Sequence, residues 1–205
     1  MKDILDIKSK QNKEGYIYKE ALKCKHSFFY FLYNYVQIPY VGVGKQMTPD
    51  MMNYNMVRLI KCLFMYKDVL IDASRQLGKT TIAAALMLWY INFHSNAKIL
   101  IISFDQTKTK DILDRIKFMY NACPGWLKYK RKSMSERVLS FELRNGSTIT
   151  ILSPSPQRDP STIGRGATVP FIYIDEPAFV KHFDEIFSAA RPGITKARKE
   201  AEEMG

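Results

Sequence analysis

The residues of this chain best suited to chemistry on a phosphate are a Gly78-Lys79-Thr80 triplet and an acidic pair, Asp175-Glu176. The triplet closes the stretch Ser74-Arg75-Gln76-Leu77-Gly78-Lys79-Thr80, which lies between the β-like run at 68–73 and an alanine- and leucine-rich segment. In a phosphate-binding loop the backbone N–H groups curl around the anion, and the next helix points its positive N-terminus at it. Lys79 would contact the outer phosphates, and Thr80 would place its hydroxyl on Mg²⁺. The usual pattern has a glycine five residues before Gly78, where this chain has Ala73. Alanine costs little there if φ stays negative.

Asp175-Glu176 ends the apolar run Phe171-Ile172-Tyr173-Ile174. Asp175 would hold Mg²⁺ through its water shell, and Glu176 would orient and deprotonate the water that attacks a γ-phosphate. The plainer alternative is an acidic strand end that caps the next helix. Arg75 leaves two readings open: a guanidinium that stabilises charge on the transferring phosphoryl group, or a surface arginine facing solvent.

These motifs need strands and helices to hold them. The run at 68–73 and the apolar runs at 97–104 and 171–176 read as strands, the latter two buried and that at 97–104 buried on both faces. Helices are expected from Thr48 (N-cap) and Pro49 to about residue 66, through the segment after Thr80, at roughly 106–121, and at about 181–190 ahead of a charged tail. Asn145-Gly146 between two alternating runs predicts a hairpin, because both residues tolerate positive φ. Residues 1–23 read as a loose helix or tail. The seven aromatics between Phe28 and Tyr40 read as a helix buried against the main domain, or as a base-stacking surface. Strand–helix alternation with apolar strands predicts a parallel α/β sheet with helices on both faces and its ligand at the carboxyl ends of the strands.

The chain has 205 residues, 46% of them hydrophobic, enough for one domain with a real core and a small appended layer. Its net charge of +11 fits a polyanion partner, nucleic acid first, or simply a soluble basic protein. Cys24, Cys62 and Cys123 are scattered and make neither a metal-ligand spacing nor a disulfide framework, which points to a reducing compartment. The N-terminus has no signal-peptide pattern, and the apolar stretch 82–93 is too short to span a bilayer, so a soluble intracellular protein is expected. Lys128, Lys130, Arg131 and Lys132, interleaved with Trp126 and Tyr129, form either a track for DNA phosphates or a solvated basic surface.

Ala73 to Thr81 together with Ile172 to Phe179 resembles the large terminase subunit of tailed bacteriophages, the ATPase motor that packages DNA into a prohead. The family's deviant loop, Ser-Arg-Gln-x-Gly-Lys-Thr after a small residue, is similar to Ser74–Thr80. Its acidic motif is similar to Ile172–Phe179, and its "RG" element to Arg165-Gly166. The resemblance runs from about residue 28 to 195. It implies a P-loop NTPase of the RecA-like (ASCE) class over residues 48–205, behind an N-terminal helical segment at 1–47. ATP would be bound by Ala73, Ser74, Arg75, Gln76, Leu77, Gly78, Lys79, Thr80 and Thr81, and the metal by Thr80 and Asp175. Glu176 would be the catalytic base, and Arg75 would trigger hydrolysis. The family glutamine that reads adenine is replaced here by Asn55, whose reach is shorter.

The resemblance further implies ATP and Mg²⁺ as cofactors and double-stranded DNA, a portal and a small terminase subunit as partners. It places the protein, without a membrane, in the cytoplasm of the infected bacterial host. The family's coupling-motif strand, the rest of its sheet and its nuclease domain are not seen after residue 195. The expectation is therefore a truncated or split chain with an incomplete sheet, binding ATP poorly alone unless a second polypeptide supplies the missing strands. Two other functions stay open: a non-catalytic remnant or DNA-binding subunit, and a helicase-like DNA-repair ATPase.

Overall fold

The structure is a computed structural model that describes residues 2–40, 43–66, 68–72, 77–103, 105–132, 140–152 and 169–203. The chain divides into two compact units, Met1–Trp89 with Phe118–Tyr129, and Tyr90–Lys117 with Lys130–Gly205.

The first unit contains α1 (Lys2–His26), α2 (Phe28–Tyr35), the antiparallel pair β1 (Gln37–Tyr40) and β2 (Val43–Gln46), and α3 (Tyr54–Met65). It also holds most of α4 (Lys79–Phe93). The aromatic-rich stretch is a helix only as far as Tyr35. Pro39 lies in β1, where a residue without an N–H is tolerated at the edge of a two-stranded ribbon. Its aromatics serve the core. Phe28 and Phe31 are buried, Phe28 packs edge-on against Trp89, and the Trp89 indole N–H donates to the Cys24 carbonyl over 2.7 Å. Glu20 on α1 accepts from the hydroxyls of Tyr30 and Tyr35 at 2.8 and 2.9 Å, which ties α1 to α2.

Thr48 opens only a 3-10 turn at Pro49–Met51 and makes no capping bond with its side chain. The helix proper starts at Tyr54, because Asn53 Oδ1 accepts from the Met56 N–H at 2.9 Å and so satisfies a free donor of the first turn. The run at 68–72 is not a strand. Leu70 is 88% exposed, and the segment has no ladder partner among the described residues; without one, β propensity does not form a strand.

The second unit is built on a four-stranded sheet, order β4-β5-β3-β6, from β3 (Lys98–Ser103), β4 (Ser140–Glu142), β5 (Thr148–Leu152) and β6 (Phe171–Asp175). β3 is parallel to both β5 and β6, and β4 is antiparallel to β5. Strand alternation divides the side chains of β3 and β6 between two faces. Leu100, Ile102, Ile172 and Ile174 pack with Val180, Phe183 and Ile186, so α6 (Phe183–Glu203) covers that face. The opposite face carries Ile99, Ile101, Ser103, Phe171, Tyr173 and Asp175, with the Tyr90 ring tilted against Phe171 at 5.8 Å between centroids. α6 is longer than the sequence suggests and runs through the charged tail with Pro192 inside it. α5 (Gln106–Ala122) matches its expected span.

The hairpin forms, but with a different turn. Gly146 N donates to Leu143 O at 3.1 Å, Leu143 N donates to Ser147 O at 2.9 Å, and Gly146 has φ +82° while Asn145 stays at negative φ. This is a three-residue loop with glycine in the left-handed position. The Asn145 side chain reaches instead to the end of α4, where Nδ2 donates to Ile91 O and His94 O.

Candidate functional site

The expected loop is described from Leu77 onward. Ala73, Ser74, Arg75 and Gln76, and the Arg165-Gly166 element, lie outside the described residues. Gly78 has φ +74°, a left-handed conformation that glycine adopts without a Cβ penalty. A Cβ at this position would also overlap the Met56 Cε methyl. Gly78 O accepts from Ile82 N at 3.0 Å, so Gly78 caps α4, and Lys79, Thr80 and Thr81 form its first turn. The N–H groups of a first turn have no partner inside the helix and carry the positive end of its dipole. α4 is then buried continuously from Ile82 to Trp89, which anchors the helix behind that terminus. The Met56–Gly78 contact brings the first turn of α3 to the loop. Asn55, one residue before Met56, is exposed.

The acidic pair lies in the second unit, at the carboxyl end of β6. Asp175 is in register with Ser103, the last residue of β3. The Tyr173 hydroxyl donates to Asp175 Oδ1 at 2.9 Å. Glu176 adopts φ +48°, ψ +58°, an uncommon conformation for a non-glycine residue and more so before a proline. It opens a 3-10 turn, Pro177–Phe179, that delivers Val180 into the core. Strain of this kind at a strand tip costs of order 1–3 kcal/mol and is common at functional sites.

Ser103, like Tyr173 and Met56, is a site feature that sequence reasoning missed; its only signal is a polar residue ending an apolar run. It is fully buried, and its hydroxyl has no hydrogen-bond partner among the described residues. An unpaired buried hydroxyl costs roughly 1–3 kcal/mol. Asp175, Glu176 and Ser103 offer hard oxygen donors at parallel strand tips, which suits Mg²⁺. No group of three or more His, Cys, Asp and Glu residues stands together among the described residues, so a cation at Asp175 would keep water or substrate oxygens as ligands.

The basic run is largely engaged in the fold. Lys128 Nζ donates to Tyr120 O and Asn121 O at 2.7 and 3.0 Å, closing the end of α5, and it sits 4.6 Å from the Tyr120 ring centre. Lys132 pairs with Glu142 at 2.9 Å, and the Arg131 guanidinium lies over the Phe141 ring. Cys24, Cys62 and Cys123 are free thiols, and burial pushes Cys24 and Cys123 up to about 12. Such thiols stay protonated and unreactive. No helix among the described residues is long and apolar enough to cross a membrane.

Residues 70–201, more than half of the chain, match the family described as "Terminase large subunit, T4likevirus-type, N-terminal". The fold is similar to the crystal structure of the HK97 bacteriophage large terminase, with a TM-score of 0.61 at 14% identity. The similarity covers 82% of this chain and 35% of that one.

Proposed function

Since the chain belongs to the large terminase subunit family by its match to the T4-like N-terminal region, we propose that it hydrolyses ATP to drive double-stranded DNA into a prohead. The supporting observation is Gly78, which turns the chain left-handed immediately before a helix that opens with Lys79 and Thr80. In this reading the N–H groups of Lys79, Thr80 and Thr81, with the loop from Ala73 to Leu77, hold the phosphates, and the Lys79 ammonium neutralises the outer ones. Thr80, by its hydroxyl, and Asp175, through the water shell, would hold Mg²⁺, which would supply neutralisation of phosphate charge. The Tyr173 hydroxyl fixes the Asp175 carboxylate. Glu176 orients the attacking water and accepts its proton, Arg75 stabilises the charge of the transferring group, and Asn55 contacts the base.

The DNA, a portal, a small terminase subunit and a second polypeptide that completes the sheet are the partners this reading assigns. One observation favours a second reading, a DNA-binding chain that keeps the motifs without turnover: residues 68–72, directly before the loop, form no strand.

Phosphate release measured with and without DNA, beside nucleotide binding, separates the two. The motor reading expects Lys79→Ala to abolish binding, and Glu176→Gln to retain binding while losing at least about 100-fold in turnover. Equal phosphate release by the wild type and Glu176→Gln removes Glu176 as the base. Wild-type protein that binds DNA but never releases phosphate supports the second reading.

A further inference from the structure

We propose that Ser103 is a further magnesium-site residue, whose hydroxyl hydrogen-bonds to the water shell of the cation that Asp175 holds. The inference rests on the nucleotide reading above and deepens it. β3 is a parallel strand flanked by β5 and β6, and its last residue, Ser103, is paired in register with Asp175. Paired residues of neighbouring parallel strands stand about 4.8 Å apart and present their side chains to the same face. Tyr173 shares that face and occupies one oxygen of the Asp175 carboxylate.

Everything else about the position of Ser103 favours an apolar side chain. On the same face, Ile99, Ile101, Ile149 and Ile151 are all at most 3% exposed. An isoleucine, valine or alanine would continue this layer with no polar group to satisfy. A serine is present instead, fully buried, with its hydroxyl unpartnered among the described residues. Buried hydroxyls in native proteins are almost always bonded, so an orphan beside a carboxylate at a strand tip points to a ligand that supplies the missing partner. A magnesium ion keeps several waters, and those waters both donate to and accept from a hydroxyl. Ser103 would thus position the hydrated cation from the β3 side while Asp175 holds it from β6. The hydroxyl carries no charge and transfers no proton in this role.

The test is Mn²⁺ binding, followed by electron paramagnetic resonance, to the full chain with a non-hydrolysable ATP analogue, beside thermal denaturation without metal or nucleotide. Ser103→Ala should unfold at the wild-type temperature or slightly above it, since it deletes an unsatisfied group. It should need about tenfold more Mn²⁺ for half-saturation, the usual scale for losing a group that supports a metal ligand. Ser103→Thr, which keeps a hydroxyl, should recover most of that loss. In an Asp175→Asn background, Ser103→Ala should add no further loss. An unchanged Mn²⁺ requirement in Ser103→Ala, when the wild type does take up the metal with nucleotide, overturns the role of Ser103 and leaves the functional reading standing. A lowered unfolding temperature with unchanged metal binding makes Ser103 a packing residue and likewise overturns it. A wild type that takes up no Mn²⁺ with the analogue overturns the nucleotide reading, and this inference with it.

Discussion

The Tyr173 hydroxyl donates to Asp175 Oδ1 across 2.9 Å, from two residues earlier on the same face of one strand. The tyrosine thereby restricts a carboxylate that stands half-buried at the strand tip. Tyr173→Phe keeps the ring and deletes only the donor. The expected result is a loss of about 1 kcal/mol in stability, since the carboxylate regains water in part, and a several-fold rise in the Mg²⁺ needed for nucleotide binding. Isothermal titration at fixed nucleotide measures the second effect.

Gly78 is constrained twice, by φ +74° and by the Met56 methyl above it. Gly78→Ala is expected to cost about 1–2 kcal/mol from the left-handed backbone alone, with a steric cost added. Met56→Ala in the same chain should return the steric part and leave the backbone part. Urea denaturation of the two single variants and the double variant separates them.

Asn145 joins the hairpin to the end of α4: Nδ2 donates to Ile91 O at 2.8 Å, and Oδ1 accepts from Ser147 N at 3.0 Å. Asn145→Ala leaves those groups unpaired, and a loss of about 1–3 kcal/mol follows. Hydrogen exchange should report it as faster exchange at Ala97 and Ser147, whose amides belong to the same network, and little change along α1.

Glu20 predicts a pH dependence. Hydrogen bonds from Lys23, then Tyr30, then Tyr35 hold its carboxyl at about 2, against an ordinary 4.5. A folded-state value below the unfolded one means that the unfolded chain takes up the proton first. The contribution is therefore complete above about pH 4.5 and is lost as pH falls toward 2. Glu20→Gln should flatten this part of the stability profile and loosen α1 from α2, measured as helix loss by circular dichroism between those pH values.

Much of the second unit was legible in the sequence because its signals are local. The runs ending at Ser103 and Asp175 are continuous and apolar; β3, flanked by β5 and β6, is buried from Ile99 to Ser103 as such a strand must be, whereas β6 is only half-buried along its length, contrary to expectation. Gly146 was legible as a turn residue because only glycine adopts φ +82° without strain. The role of Asn145 was not, since its side chain bonds across about fifty residues to Ile91 and His94. The run at 68–73 misled for a related reason. It has the composition of a strand, but a strand exists only when a neighbour supplies its hydrogen bonds. Lys128 and Lys132 read as part of either a phosphate track or a solvated basic surface, and the nearby carbonyls of Tyr120 and Asn121 and the carboxylate of Glu142 engage them.

By itself, the sequence determined which residues could do phosphate chemistry and the order in which the chain meets them. Residue type and spacing suffice for this, because Gly78, Lys79 and Thr80 are contiguous and Asp175 and Glu176 adjacent. Only the tertiary structure decided that Ser103 stands beside Asp175, that Met56 seals Gly78, and that the aromatics from Phe28 onward form a core rather than a surface. Those are relations between residues distant in the chain, fixed by strand register and close packing, and no local pattern encodes them.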